Sequence, residues 1–480
     1  RTLWFSLGYR RTLRALNNRL FRRSTMHKRL AIHLLPEGRS FLAHISVRKY
    51  GPGDEKSIVE VMDSSFETFK GWGLTPGKWL GYEVDPGFRK ENSYVVESDN
   101  KIIGHAQVVE KELNYGKFVK VAGIANVCTE PGTREKGMAT TLMNEVVNDI
   151  AQNYNLSGLD TGYGSSAHRI YRGVGYSPFH FFRSISGETW NVSLALKRLN
   201  RIAGKAVDEV RPFRSGGEKD IEETYADNAV IVRSSHKRSH NYWEEKLFKR
   251  NFWHTAFYKN FNSDDVLVLP GRGYAYLDLW EDRKGSVREA LAKPGDYIAL
   301  AAIYARALSR FSDSHEVSIS APEGDPRLDY ILADFYRFRG RGSYMFNVLN
   351  LRGLLEELGG VEGGSESGKT ELRIFNDVKA LEPVTVSLRD FRPADGQSDS
   401  KLDMHQSDFL RMLSGLDEPL SLFLQGKIEA SGEEATRAIK ALNELFKKAP
   451  FHPWPSDEWR LIKKNALGLN RSLTPGYALR

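Results

Sequence analysis

Two glycine-containing stretches have the residue types to hold a phosphate. In the first, Gly363, Gly368, Lys369 and Thr370 satisfy the spacing G-x-x-x-x-G-K-[ST]. A phosphate loop of that kind needs a buried strand before it and a helix opening at its Lys-Thr, so that free helix N–H groups and the helix dipole face the anion. Here LRGLLEEL before the loop has helical spacing and TELRIFND after it alternates like a strand, which is the reverse order. No short hydrophobic strand ending in Asp offers to hold magnesium. Residues 359–369 therefore read as a flexible Gly-rich connector.

The second stretch is VAGIANVCTEPGTREKGMATTLMNEVV, residues 121–147. A strand ends at Thr129, a loop carries Pro131 and Gly132, and a long helix is expected to open across Arg134–Ala139 in the pattern R-x-x-G-x-A. Small residues at 137 and 139 let an anion approach the backbone, and N–H groups in a helix's first turn have no intrahelical partner. Those letters alone serve an ordinary helix start equally well. Farther on, Tyr171 lies in IYRGVGY after the strand-like LSGLDTGYG.

The elements that must position these residues follow from periodicity. From His44, ISVRKY reads as a strand, Gly-Pro-Gly-Asp as a turn, and the next segment as a helix with Ile58, Val59, Val61, Met62 and Phe66 on one side. Three antiparallel strands with Asp-Asn and Tyr-Gly turns come next, then the helix bearing Met138, Leu142, Met143, Val146, Val147 and Ile150, then a strand and the short helix SAHRIYRGVGY. A first domain thus spans 44–185. A second mixed block, 186–358, contains the apolar helix IALAAIYARAL; its nearest phosphate-loop match, GRGYAYLDLW, runs into a strand, so this block is expected to bind no coenzyme and to wall the substrate pocket. A third block, 370–460, has alternating strands followed by helices, one expected to start at a capping box of Ser431 and Glu434.

At 480 residues the chain is long enough for about three domains. Its net charge of +8 is concentrated: residues 1–35 hold eight Arg, one Lys and no acid, which leaves the remainder near −1. That leader, taken as 1–43, resembles a transit peptide or else is upstream sequence ahead of a start at Met26. A neutral body argues against nucleic acid as a partner, and the aromatic run NYWEEKLFKRNFWHTAFYKNF reads as core and pocket lining. No run reaches the ~18 apolar residues of a membrane span. The single cysteine, Cys128, excludes internal disulfides and suits a reducing cytoplasm; inside an apolar strand it reads as packing, not as a nucleophile. His236, His240 and Glu244 fall at i, i+4 and i+8 of one helical face, and solvated polar spacing is preferred there over metal binding.

With R-x-x-G-x-A at a strand-to-helix junction and a later Y-x-x-x-G-[YF], residues 121–176 resemble the GNAT acetyltransferase superfamily, and SSAHRIYRGVGY is similar to its Eis-type members. The resemblance covers about residues 44–460 and implies a GNAT fold, a mixed and mostly antiparallel sheet with flanking helices. It also implies a degenerate GNAT-like second domain, a sterol-carrier-protein-like α/β third domain of the SCP2 type, and a tail at 461–480. Implied too is acetyl-CoA as cosubstrate, without a metal. The coenzyme would lie between two splayed strands, on Val127, Cys128 and Thr129, with its diphosphate on Arg134, Glu135, Lys136, Gly137, Met138, Ala139 and Thr140, and with Ser166 and Ala167 beside it. Tyr171 would protonate the leaving thiolate. Eis-type enzymes use their own C-terminal carboxylate as base; this chain runs about twenty residues farther, to Arg480, and the base stays unassigned. The expected activity is N-acetyl transfer to a small or exposed primary amine by a homo-oligomer. The second reading is a non-catalytic lipid or acyl-CoA carrier that uses the third domain.

Overall fold

A computed structural model describes residues 45–66, 76, 86–134, 137–248, 263–279, 284–313 and 316–451. The expectations for the basic leader, for Glu135 and Lys136, for residues 249–262 of the aromatic run, for the tail and for Arg480 fall outside these residues.

In chain order the first elements are β1 (Ile45–Lys49), α1 (Glu55–Ser65), β2 (Phe88–Ser98), β3 (Lys101–Asn114) and β4 (Phe118–Thr129). They continue with α2 (Met138–Ile150), β5 (Leu156–Gly162), α3 (Ser166–Gly173) and β6 (Ser177–Gly187). The turns are where the sequence places them: Asp99 and Asn100 both take positive φ, 50° and 64°, as a tight β2–β3 hairpin requires, and Gly116 does so at 104° between β3 and β4.

The middle block supplies α4 (Thr189–Ala203), β7 (Arg211–Pro212), α5 (Glu218–Ala229), β8 (Val266–Leu269), β9 (Gly273–Leu279), β10 (Lys284–Ala292), α6 (Tyr297–Ser309), β11 (Glu316–Ile319), β12 (Tyr336–Val348) and α7 (Leu351–Leu358). GRGYAYLDLW does run into a strand, β9. Both blocks share one sheet, ordered β1-β2-β3-β4-β5-β12-β6-β11-β10-β9-β8-β7. β12 lies between β5 and β6, antiparallel to each, so two strands adjacent in sequence are parted by one that arrives more than a hundred residues later.

The last block has β13 (Lys369–Phe375), β14 (Val384–Ser387), β15 (Ser400–His405), α8 (Gln406–Leu413), β16 (Ile428–Gly432) and α9 (Ala435–Leu445). Lys369 opens a strand, β13, not a helix, which removes the physical basis of the phosphate-loop letters. The connector before it is not free: the Val361 N–H bonds to the Asp390 carbonyl at 2.7 Å, Glu444 accepts from Ser365, and Glu366 pairs with Lys440 and Arg437. The capping box also fails. Ser431 pairs with Lys401 across β15–β16, so its backbone is spent on a ladder, and α9 starts after Glu434 without a side-chain cap.

Alternation along β3 sorts the layers over the sheet. Ala106 and Val108 pack with α2 and α3, whereas Val109 meets the apolar side of α1. Leu113, on the same side as Val109, joins the core shared with the C-terminal module. One face therefore carries α2 and α3, and the other carries α1 and the C-terminal module. Among the described residues no helix is long and apolar enough to cross a membrane.

Candidate active site

β4 and β5 run parallel, but only Val121, Ala122 and Gly123 pair with Leu156, Ser157 and Gly158. Beyond Gly123 the strands part: β4 continues to Thr129 beside β3, and β5 continues to Gly162 beside β12. The divergence has a local cause. The β3–β4 register shifts between His105 and Gln107, and Asn126 takes a left-handed φ of 52°, so one extra β4 residue bulges and turns the strand end aside. His105, fully buried, donates from Nδ1 to the Asn126 carbonyl at 3.2 Å, and burial lowers its pKa to about 4, so its ring is neutral.

The loop after Thr129 makes a short 3-10 turn at Pro131–Thr133, and α2 opens at Met138, within the expected stretch Arg134–Ala139. Gly137 sets that start. It adopts φ 78°, a left-handed conformation that side-chain-bearing residues rarely take, and an added Cβ would meet nothing within 4 Å. The sequence reading gave this glycine the task of admitting an anion; its backbone angle is a second and sufficient reason for it. The first bond inside the helix is the Thr141 N–H to the Gly137 carbonyl at 3.0 Å, and no side chain caps α2, so the N–H groups of Met138, Ala139 and Thr140 have no intrahelical partner.

These pieces wall one cavity of about 780 Å³. Val127, Cys128, Thr129, Arg134, Gly137, Met138, Ala139, Thr140, Ser166, Ala167 and Tyr171 all line it, which brings together every described residue that the sequence put at the site. The sequence missed Ser65, Phe66, Thr133, Arg169, Ile170 and Gly173. Of these, Ser65 ties the end of α1 to the strand edge: its Oγ donates to the Thr129 carbonyl at 2.9 Å, and its own carbonyl accepts from Arg134 at 3.2 Å. Arg134 and Arg169 line the cavity and no described lining residue is a carboxylate, so together with the α2 N-terminus the wall is cationic.

Tyr171 is 7 % exposed, with its ring edge-on to Tyr176 at 6.2 Å. Burial first, then the negative charge of Asp160, push its pKa up, so the phenol keeps its proton throughout the neutral range. Cys128 is also a neutral group, because burial pushes its thiol up to about 12. A thiol held so far from ionisation is no nucleophile at neutral pH, in keeping with its reading as packing.

The third site considered in the sequence comes apart. His236 is buried and bridges to Leu113, and helical structure resumes only at His240. His240 instead faces Glu222 of α5 at 3.2 Å, and that hydrogen bond raises its pKa. Ligand atoms of Glu222, His240 and Glu244 lie within 4.8 Å of one another, a grouping that joins two segments and that helical spacing could not show.

Residues 46–179 match the family model described as an acetyltransferase (GNAT) domain. No curated protein sequence matches. Among solved structures, a GCN5-related N-acetyltransferase from Kribbella flavida superposes with a TM-score of 0.61 at 16% identity, covering 87% of this chain and 99% of that one. A GCN5-related N-acetyltransferase from Anabaena variabilis ATCC 29413 gives 0.63 at 16% identity, covering 85% and 99%. Eis1 from Mycobacterium abscessus gives 0.56 at 14% identity, covering 85% and 99%. At such identities the likeness is one of fold, and it extends across both sheets.

Proposed function

We infer that the chain, whose residues 46–179 are an acetyltransferase domain of GNAT fold, transfers an acetyl group from acetyl-CoA to a primary amine by direct attack. The observation that carries this reading is the placing of Tyr171 and the α2 N-terminus in the wall of one cavity at the point where β4 and β5 separate. The donor set suits a coenzyme diphosphate: three helix N–H groups, two guanidinium groups and no described carboxylate. Acetyl-CoA, when bound, supplies the activated acyl group as a thioester.

The protein's part in the reaction is to bind, orient and hold a proton. Met138, Ala139 and Thr140 hold the anionic end through their N–H groups, with Arg134 and Arg169 at the cavity wall. The β4 edge at Val127–Thr129, left unpaired by β5, offers backbone groups to the pantetheine arm and to the oxygen on which charge develops. Tyr171 holds at its hydroxyl the proton that a departing thiolate would take up, and the proton that the amine sheds as the amide forms makes good that loss, so the phenol ends neutral. Cys128 stays a thiol and is not the carrier of an acyl group in this reading. The division into a transferase domain, a middle block and a C-terminal module belongs to this proposal, with the latter two enclosing the acceptor.

The test is thiol release from acetyl-CoA across a panel of primary amines, with calorimetry of acetyl-CoA binding alongside. Amine-dependent thiol release is expected. Neither heat nor release with any amine would overturn the reading.

A further inference from the structure

Tyr171 lies in the last turn of α3, and the turn after that helix is held from the far end of the chain. The Tyr171 carbonyl accepts the N–H of Val174 at 3.2 Å and that of Tyr176 at 3.0 Å, so the helix end and its turn form one piece. Gly175, inside that turn, has φ 101°, and a Cβ there would come within 3.0 Å of Asn347 and 3.3 Å of Asn376. Its carbonyl accepts from Gln406 Nε2 at 2.7 Å, across 231 residues of sequence.

Gln406 is the first residue of α8 and is fully buried. Its Nε2 also donates to Ser177 Oγ at 2.7 Å and lies 3.3 Å from the Phe346 carbonyl, and its Oε1 accepts the Val348 N–H at 3.1 Å. One side chain thus joins the C-terminal module, β12 and the turn after Tyr171. A second tie, Arg172 Nε to Asp377 at 2.8 Å, reaches the same helix, but both partners are well exposed and such pairs contribute little. The buried clasp is the one that can hold the phenol in place, since an isolated polar group in that interior has no water to replace its partners.

We propose that Gln406 is a positioning residue for the Tyr171 proton donor, which makes the C-terminal module part of the catalytic machinery. The inference rests on the reading of Tyr171 as the donor. A donor displaced by even 1 Å loses on the order of a hundredfold in rate.

The test is a double-mutant cycle. Q406L removes every polar contact of the side chain; Q406E keeps its shape and an acceptor for Val348 while losing both donated bonds, and it serves where Q406L does not fold. Each is made in the wild type and in Y171F, and kcat and the KM for acetyl-CoA are measured. In the wild type kcat falls ~10- to 100-fold with KM for acetyl-CoA within about threefold, whereas in Y171F the same change costs less than about threefold, because the group it aims is already gone. D377N, at the exposed tie, stays within about twofold of wild type. Equal losses in both backgrounds would make Gln406 a purely structural residue and overturn the inference alone. A wild-type protein without thiol release would overturn the donor reading and this inference with it.

Discussion

Ser157 and Tyr176 meet hydroxyl to hydroxyl, 2.6 Å apart, at the apex where β4 and β5 part. Ser157 Oγ donates to the Ala122 carbonyl at 2.8 Å, which leaves Tyr176 as the donor to Ser157. The two strands and the turn after α3 are therefore pinned at one point beneath the cavity. Removing one partner of a buried pair costs more than removing both, because a polar group is left unsatisfied. S157A should lower stability by about 1–3 kcal/mol, and S157A with Y176F by less than the sum of the two single changes. Denaturant midpoints of the four proteins measure this, and strict additivity would show the hydroxyl contact to be idle.

Tyr171→Phe keeps the ring and deletes only the hydroxyl. A general acid contributes roughly 10²- to 10⁴-fold, so kcat should fall by about a hundredfold or more while the KM for acetyl-CoA changes little. Burial and Asp160 raise the Tyr171 pKa, so an acid that must be protonated stays competent to high pH. The wild-type kcat profile should accordingly show no loss from this group up to the ordinary tyrosine range near pH ~10. A fall in both parameters by the same factor would assign the ring to packing.

Gly137→Ala tests the α2 start. With open space around the added Cβ, the cost is the left-handed angle itself, about 1–2 kcal/mol. The helix can escape that cost by turning its first N–H groups away from the cavity, so a raised KM for acetyl-CoA should accompany the lost stability. Asn tolerates that angle better than Ala, and G137N should recover part of both. Identical behaviour of the two variants would argue that φ at 137 is irrelevant to binding.

The site was legible in the sequence where its parts are local. Strand, loop and helix from Val121 to Val147 come directly one after another, and Tyr171 sits in the next helix, so spacing placed the elements, while the roles of the residues came from the resemblance to the GNAT superfamily. Letters do not state backbone angles, so the bulge at Asn126 and the left-handed conformation of Gly137 that sets the helix start stayed hidden. Longer-range pairing was less legible still. His236 left its expected helix because Leu113 offers a bridge, and Ser431 left its capping box because Lys401 pairs with it. β12 between β5 and β6, and Gln406 against Gly175, are contacts between distant segments that no window of sequence contains. The connector at 359–369 reads as flexible from its glycines, yet partners at Asp390 and Glu444 hold it.

His105 gives the fold a pH dependence that can be read apart from activity. Free histidine titrates near ~6.5, whereas in the folded protein burial lowers the group to about 4. Between those values the unfolded chain binds a proton that the folded chain refuses, so stability falls as pH falls and is fully present above the unfolded pKa. From pH 7 to pH 5 this single ring should remove roughly 1–2 kcal/mol. Replacing it with Asn, which can still donate toward the Asn126 carbonyl but does not titrate, should flatten that portion of the curve. Unfolding by denaturant at pH 5, 6 and 7 for wild type and H105N gives the two slopes directly; equal slopes would show that the ring titrates normally in the fold, and a wild type that gains stability as pH falls would show that it is charged there. The bulge links this measurement to the site: His105 donates to the carbonyl of Asn126, the residue at which β4 turns away from β5, and although that carbonyl favours the charged ring, a charge buried at this point should destabilise the strand edge that lines the cavity.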